Sequence, residues 1–77
     1  MSDQTPPPAD AIAIQVNGER HTVAAEATVA DLLATLGRDP RVLAVERNKE
    51  LVPRRTHAQT TLRPNDCIEI VTLVGGG

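Results

Sequence analysis

A single stretch of helical period, enclosed by segments of strand period, leaves this chain very few architectures. From Thr28 onward, Val29, Leu32, Leu33 and Leu36 recur at i, i+3, i+4 and i+7, an apolar stripe about two and a half turns long. Thr28 with Asp31 three residues later has the pattern of a capping box, Asp replacing the usual Glu. Gly37 suits the left-handed position at which helices end. A helix this short is unstable alone in water, so its leucines must be buried against a sheet. The preceding segment supplies one. Ile12, Ile14 and Val16 alternate onto one face, Asn17-Gly18 fits a two-residue type I′ turn, and Glu19 to Val23 is the returning strand.

After Pro40, Val42 to Arg47 has the pattern of a third strand, with Leu43 and Val45 inward and Glu46 outward. Asn48-Lys49-Glu50 is the next turn. Leu51-Val52-Pro53 is a short extended piece that Pro53 confines to an edge or a strand end. Arg54 to Thr61 is mostly polar and predicts irregular structure or a brief edge strand. Pro64-Asn65-Asp66 makes the last turn before the final strand, which starts at Cys67 and whose apolar and β-branched residues run from Ile68 to Val74. The element order is thus hairpin, helix, strand, short strand, final strand. With a right-handed return from the helix to the same sheet, this predicts an α+β fold: a mixed sheet of four to five strands with one main helix packed across one face, the β-grasp. The expected domain is residues 11–74. Residues 1–10, which include Pro6-Pro7-Pro8, are expected to be a disordered or polyproline II leader, and residues 75–77 a flexible tail.

Composition removes several classes of function. A chain of 77 residues has room for one core. The lone Cys67 excludes an internal disulfide, and with only His21 and His57 beside it no cluster has metal-ligand spacing. No Phe, Tyr or Trp is present to stack on bases, and a net charge of −2 does not seek phosphate, so nucleic acid is not an expected partner. No apolar run is long enough to cross a bilayer. The expectation is a cytoplasmic protein, monomeric when free, with no bound cofactor and no catalytic residue of its own.

The working part is read at the end of the chain. Gly75, Gly76 and Gly77 follow directly on the final strand and carry no side chain. They form a backbone thread that can lie in a narrow slot and carry a carboxylate into another protein's active site, which suits a group carrier rather than an enzyme. If Ile68 and Ile70 face the helix, then Glu69, Val71 and Leu73 share the opposite face. Val71, Leu73 and Val74 are therefore expected to form a partner-binding patch beside the tail. Cys67 is expected to be an ordinary strand cysteine, His21 and His57 solvated surface residues, and Arg54-Arg55 a solvated loop pair.

Three segments carry a likeness to a known family: Val45-Glu46-Arg47-Asn48-Lys49-Glu50-Leu51-Val52-Pro53-Arg54, then Leu62-Arg63-Pro64-Asn65-Asp66-Cys67-Ile68-Glu69-Ile70-Val71, then Val74-Gly75-Gly76-Gly77. Together they resemble the ThiS-type sulfur carriers of thiamine biosynthesis, ubiquitin-like β-grasp proteins. The likeness extends from Ile12 to Gly77. It departs from the family pattern in the last turn, where Asn65-Asp66 replaces Gly-Asp, and in the proline-rich leader. The resemblance implies a cosubstrate. An E1-like adenylyltransferase of the ThiF type would use ATP to adenylate the Gly77 carboxylate, and cysteine-derived sulfur would displace AMP to leave a thiocarboxylate. A thiazole synthase of the ThiG type would accept that sulfur. Rival readings are a carrier of the molybdopterin synthase small-subunit type, a ubiquitin-like protein modifier, and a structural or ligand-sensing module without tail chemistry.

Overall fold

The computed structural model describes residues 10–73. Five strands, β1 (Ile12–Val16), β2 (Glu19–Val23), β3 (Leu43–Arg47), β4 (Glu50–Val52) and β5 (Cys67–Thr72), form one sheet in the order β2-β1-β5-β3-β4. β1 and β5 run parallel at its centre and the other neighbours are antiparallel. The single α-helix, α1 (Val29–Leu36), packs across one face. This is the β-grasp predicted from the sequence.

Each device read for α1 is present. Thr28 Oγ1 accepts from the Asp31 N–H at 3.1 Å, and Asp31 Oδ2 accepts from the Thr28 N–H at 2.9 Å, closing the capping box. Gly37 ends the helix at φ 68°, while the N–H of Arg38 reaches back to the Leu33 carbonyl at 2.9 Å. The stripe then buries Val29, Leu32 and Leu33 against Ile14 and Val16 of β1, Val45 of β3, and Ile68 and Ile70 of β5, with Leu36 partly covered at its end. Burial of apolar area at about 25 cal/mol per Å² is the main term holding so small a domain together.

The sequence placed the start of the third strand one residue early. Asp39 Oδ1 accepts from the Arg41 N–H at 2.9 Å and caps a 3-10 turn, Pro40–Val42, so β3 begins at Leu43. A larger correction concerns Arg54 to Thr61. Arg54–Gln59 winds into a 3-10 helix, and Thr61 makes only an isolated antiparallel bridge to Thr28. That winding carries His57 inward. Its ring is buried, with Nε2 3.1 Å from the Val52 carbonyl, rather than solvated as expected. His21 is half-buried as well, because its register places it opposite Ile14 on the helix-facing side of β2.

Three turns rely on asparagines in the left-handed region, Asn17 at φ 51°, Asn48 at φ 52° and Asn65 at φ 70°. Two of them also grip the central strand. The Asn17 N–H donates to the Ile68 carbonyl at 2.8 Å, and its Oδ1 accepts from the Ile70 N–H at 2.8 Å. From the other flank, the Asn48 N–H donates to the Cys67 carbonyl at 2.8 Å, and its Oδ1 accepts from the Cys67 N–H at 2.9 Å. Hairpin turns on both sides therefore fix the register of β5, the strand that leads to the tail.

Buried Asp66 holds the start of that strand. Its carboxylate accepts from the Arg63 N–H at 2.8 Å and from Asn48 Nδ2 at 3.0 Å, with Arg47 Nε 3.7 Å away. Asp66→Ala is expected to cost about 1–3 kcal/mol, since it leaves buried donors without an acceptor. Urea denaturation checks this, and an unchanged midpoint would show that the network contributes nothing.

Candidate functional site

The two faces of β5 differ in what covers them. Ile68 and Ile70 lie under α1, whereas Cys67, Glu69 and Val71 alternate onto the uncovered outer face. Register sets their neighbours: Gln15 beside Cys67, Glu46 opposite Glu69, and Ala44 opposite Val71. Leu51 of β4 stands opposite Glu46. Beyond the strand end, the Leu73 N–H donates to the Val42 carbonyl at 2.8 Å, bringing two apolar residues side by side. Val42, Leu51, Val71 and Leu73 each keep at least half of their surface exposed. The exposure predicted for Val71 and Leu73 is therefore present, and the apolar surface extends across β3 to β4.

The outward parity of Glu46 already turns Val42 outward, but Leu51 was missed as a surface residue because a strand's own alternation says nothing of its neighbours across the sheet. Its signal was its parity against Glu46 in the hairpin pairing, legible only once the turn at Asn48-Lys49 is fixed. Glu46 and Glu69 stand directly opposed within this face, and among the described residues no cation pairs with either. Like charges so placed disfavour strand pairing. The outer face is thus apolar with an acidic centre.

Val74, Gly75, Gly76 and Gly77 lie outside the described residues, as does the leader up to residue 9. The path to the tail is nevertheless anchored. Thr72 ends β5 opposite Leu43, and its Oγ1 accepts from Arg38 Nη2 at 2.9 Å. Cys67 is exposed, with Sγ 3.9 Å from Gln15 Oε1, and it begins β5 where Thr72 ends it. Five residue steps along the strand separate Cys67 from Thr72 by roughly 17 Å, so the thiol sits at the opposite end of the strand from the tail. Among the described residues, no group of three or more His, Cys, Asp or Glu side chains could hold a metal ion. No described helix is long and apolar enough to cross a membrane. The exposed Asp39 carboxyl is held below its ordinary pKa by hydrogen bonds from Arg41, with a smaller contribution from the charge of Arg54.

This geometry agrees with comparisons to known proteins. The sequence model of the ThiS family matches residues 12–77, from the first strand through the terminal glycines. The chain belongs to the ThiS family. Among individual members, it is 42% identical to the sulfur carrier protein ThiS of Bacillus subtilis (strain 168) over 50 residues, covering 65% of this chain and 76% of that one. The crystal structure of a thiamine biosynthesis protein (ThiS) from Geobacter metallireducens superposes with a TM-score of 0.74 at 33% identity, covering 86% of this chain and all of that one. A thiazole synthase of Paramagnetospirillum magneticum is 47% identical over 62 residues, 80% of this chain. The chain spans only about a fifth of that thiazole synthase's length, 19%.

Proposed function

We propose that the chain is a sulfur carrier of thiamine biosynthesis and acts as a cosubstrate rather than an enzyme. The observation that carries this reading is the match to the ThiS family, which spans residues 12–77 and so includes Gly77. In the proposed cycle, an E1-like enzyme attacks the α-phosphate of ATP with the Gly77 carboxylate, forming an acyl-adenylate and releasing pyrophosphate. Adenylation is needed because a carboxylate is a poor acyl donor and AMP a good leaving group. Sulfide-level sulfur derived from cysteine then attacks the acyl carbon and displaces AMP, and thiazole synthase takes the sulfur of the resulting thiocarboxylate. Gly75 and Gly76 carry no side chain to obstruct the nucleotide or compete as nucleophile. The likeness to part of a thiazole synthase supports that enzyme as the acceptor. The direct test supplies purified thiazole synthase with its other substrates and with the carrier as thiocarboxylate or as carboxylate. Thiazole formation from the first alone is expected, and equal formation from both would overturn the reading.

The outer face supplies the docking surface for these partners, with Val71 and Leu73 as anchors and Val74, next in sequence, as a third contact. Replacing Val71 and Leu73 together with Ser is expected to weaken binding to the activating enzyme or to thiazole synthase by about tenfold or more, as for loss of central apolar anchors. Stability should change little, because both side chains are already exposed. Calorimetric titration beside a denaturation curve separates the two effects. Unchanged affinity would assign the partners to another surface.

A further inference from the structure

On the opposite side of the molecule, α1 and the Arg54–Gln59 turn do not close completely on one another. Ala30, Leu33 and Ala34 of the helix, Pro40, and Ala58 of the turn floor a trough of about 370 Å³. Three small side chains stand where larger ones would have filled the space. Arg38, Arg54 and Arg55 form its rim, and no acidic residue lines it. Among the described residues, Arg54 and Arg55 make no ion pair. Asp39, close enough to feel the charge of Arg54, is already bound by Arg41 at 3.0 Å. An apolar floor is thus ringed by guanidinium groups on a chain whose net charge is −2.

We propose that this trough docks an acidic, amphipathic segment of a partner protein, with aliphatic side chains on the alanine floor and carboxylates against the arginine rim. Guanidinium groups pair with carboxylates in two-point geometry, and an amphipathic segment laid in a groove is a recurring mode of recognition. A basic segment would be repelled, and a purely polar one would leave the floor wet. The trough lies on the helix side of the sheet, so an occupant leaves the outer face free. The site does not depend on the chemistry at Gly77.

The test is amide NMR on the full chain, titrated with a short synthetic peptide of leucines flanked by glutamates. Counterpart peptides replace every Glu with Lys or every Leu with Ser. Shifts confined to residues 30–34 and 54–58, seen with the acidic leucine peptide alone and weakened by salt, are expected. Arg54→Glu combined with Arg55→Glu should reduce that affinity about tenfold or more. An unchanged amide spectrum elsewhere in this variant shows that it folds. Equal binding of the lysine peptide, shifts centred on β5, or no localised shifts would each overturn the proposal. So would shifts of the trough amides, without peptide, on deleting residues 1–9 or on raising protein concentration, which would make the occupant the chain's own leader or a second copy.

Discussion

Gly76→Val is expected to abolish adenylation of the tail while leaving the fold intact. A β-branched side chain restricts its own χ1 and crowds the adjoining backbone, and it adds bulk where the thread must pass closest to the enzyme and ATP. Misplacing the reacting carboxylate by about 1 Å is enough to cost on the order of a hundredfold in rate. Gly76 follows the described residues 10–73 and has no side chain to pack, so stability is expected to shift by no more than about 0.5 kcal/mol. Exchange of labelled pyrophosphate into ATP, measured with the cognate activating enzyme, reports this step without any sulfur source. Exchange at the wild-type rate would mean that the glycines are not needed to thread a slot.

Leu33→Ala is expected to have the opposite signature, a large loss of stability with the tail chemistry unaltered in the molecules that remain folded. Leu33 retains 2% of its exposure and packs in the cluster that joins α1 to β1, β3 and β5. Removing a buried leucine side chain costs about 2–5 kcal/mol, the spread reflecting how far the surroundings collapse into the cavity. A 77-residue domain has a total stability of about 4–12 kcal/mol at the usual value per residue, so the variant could lose half of it. Thr35, two residues on, is exposed on the other side of the helix. Thr35→Ala should move the urea midpoint by less than about 0.5 kcal/mol equivalent. Similar effects of the two substitutions would show that the helix does not bury the face described.

The contrast between these variants follows what could be read in the sequence. The helix was legible because its period, capping box and terminal glycine are local and agree with one another. The faces of β5 were legible from alternation alone, which placed Ile68 and Ile70 inside and Val71 and Leu73 outside before any neighbour was known. Contacts distant in sequence were not. The Asn17 amide meets the backbone of Ile70, 53 residues away, and nothing near Asn17 announces that partner. His57 was misplaced because a polar run without periodicity conceals a 3-10 turn, whose winding brings one ring beneath β4. The chemistry proposed for the tail rests on composition, three glycines after a strand, with the family likeness supplying the reaction.

The most direct measurement is the intact mass of the full chain after incubation with its activating enzyme, ATP and a sulfur source. A mass increase equal to one oxygen-to-sulfur exchange, localised by fragmentation to Gly77 and absent without ATP, is the expected result. An unmodified mass under conditions where the enzyme consumes ATP, or sulfur localised to Cys67 instead, would contradict a carrier that works through its terminal glycine.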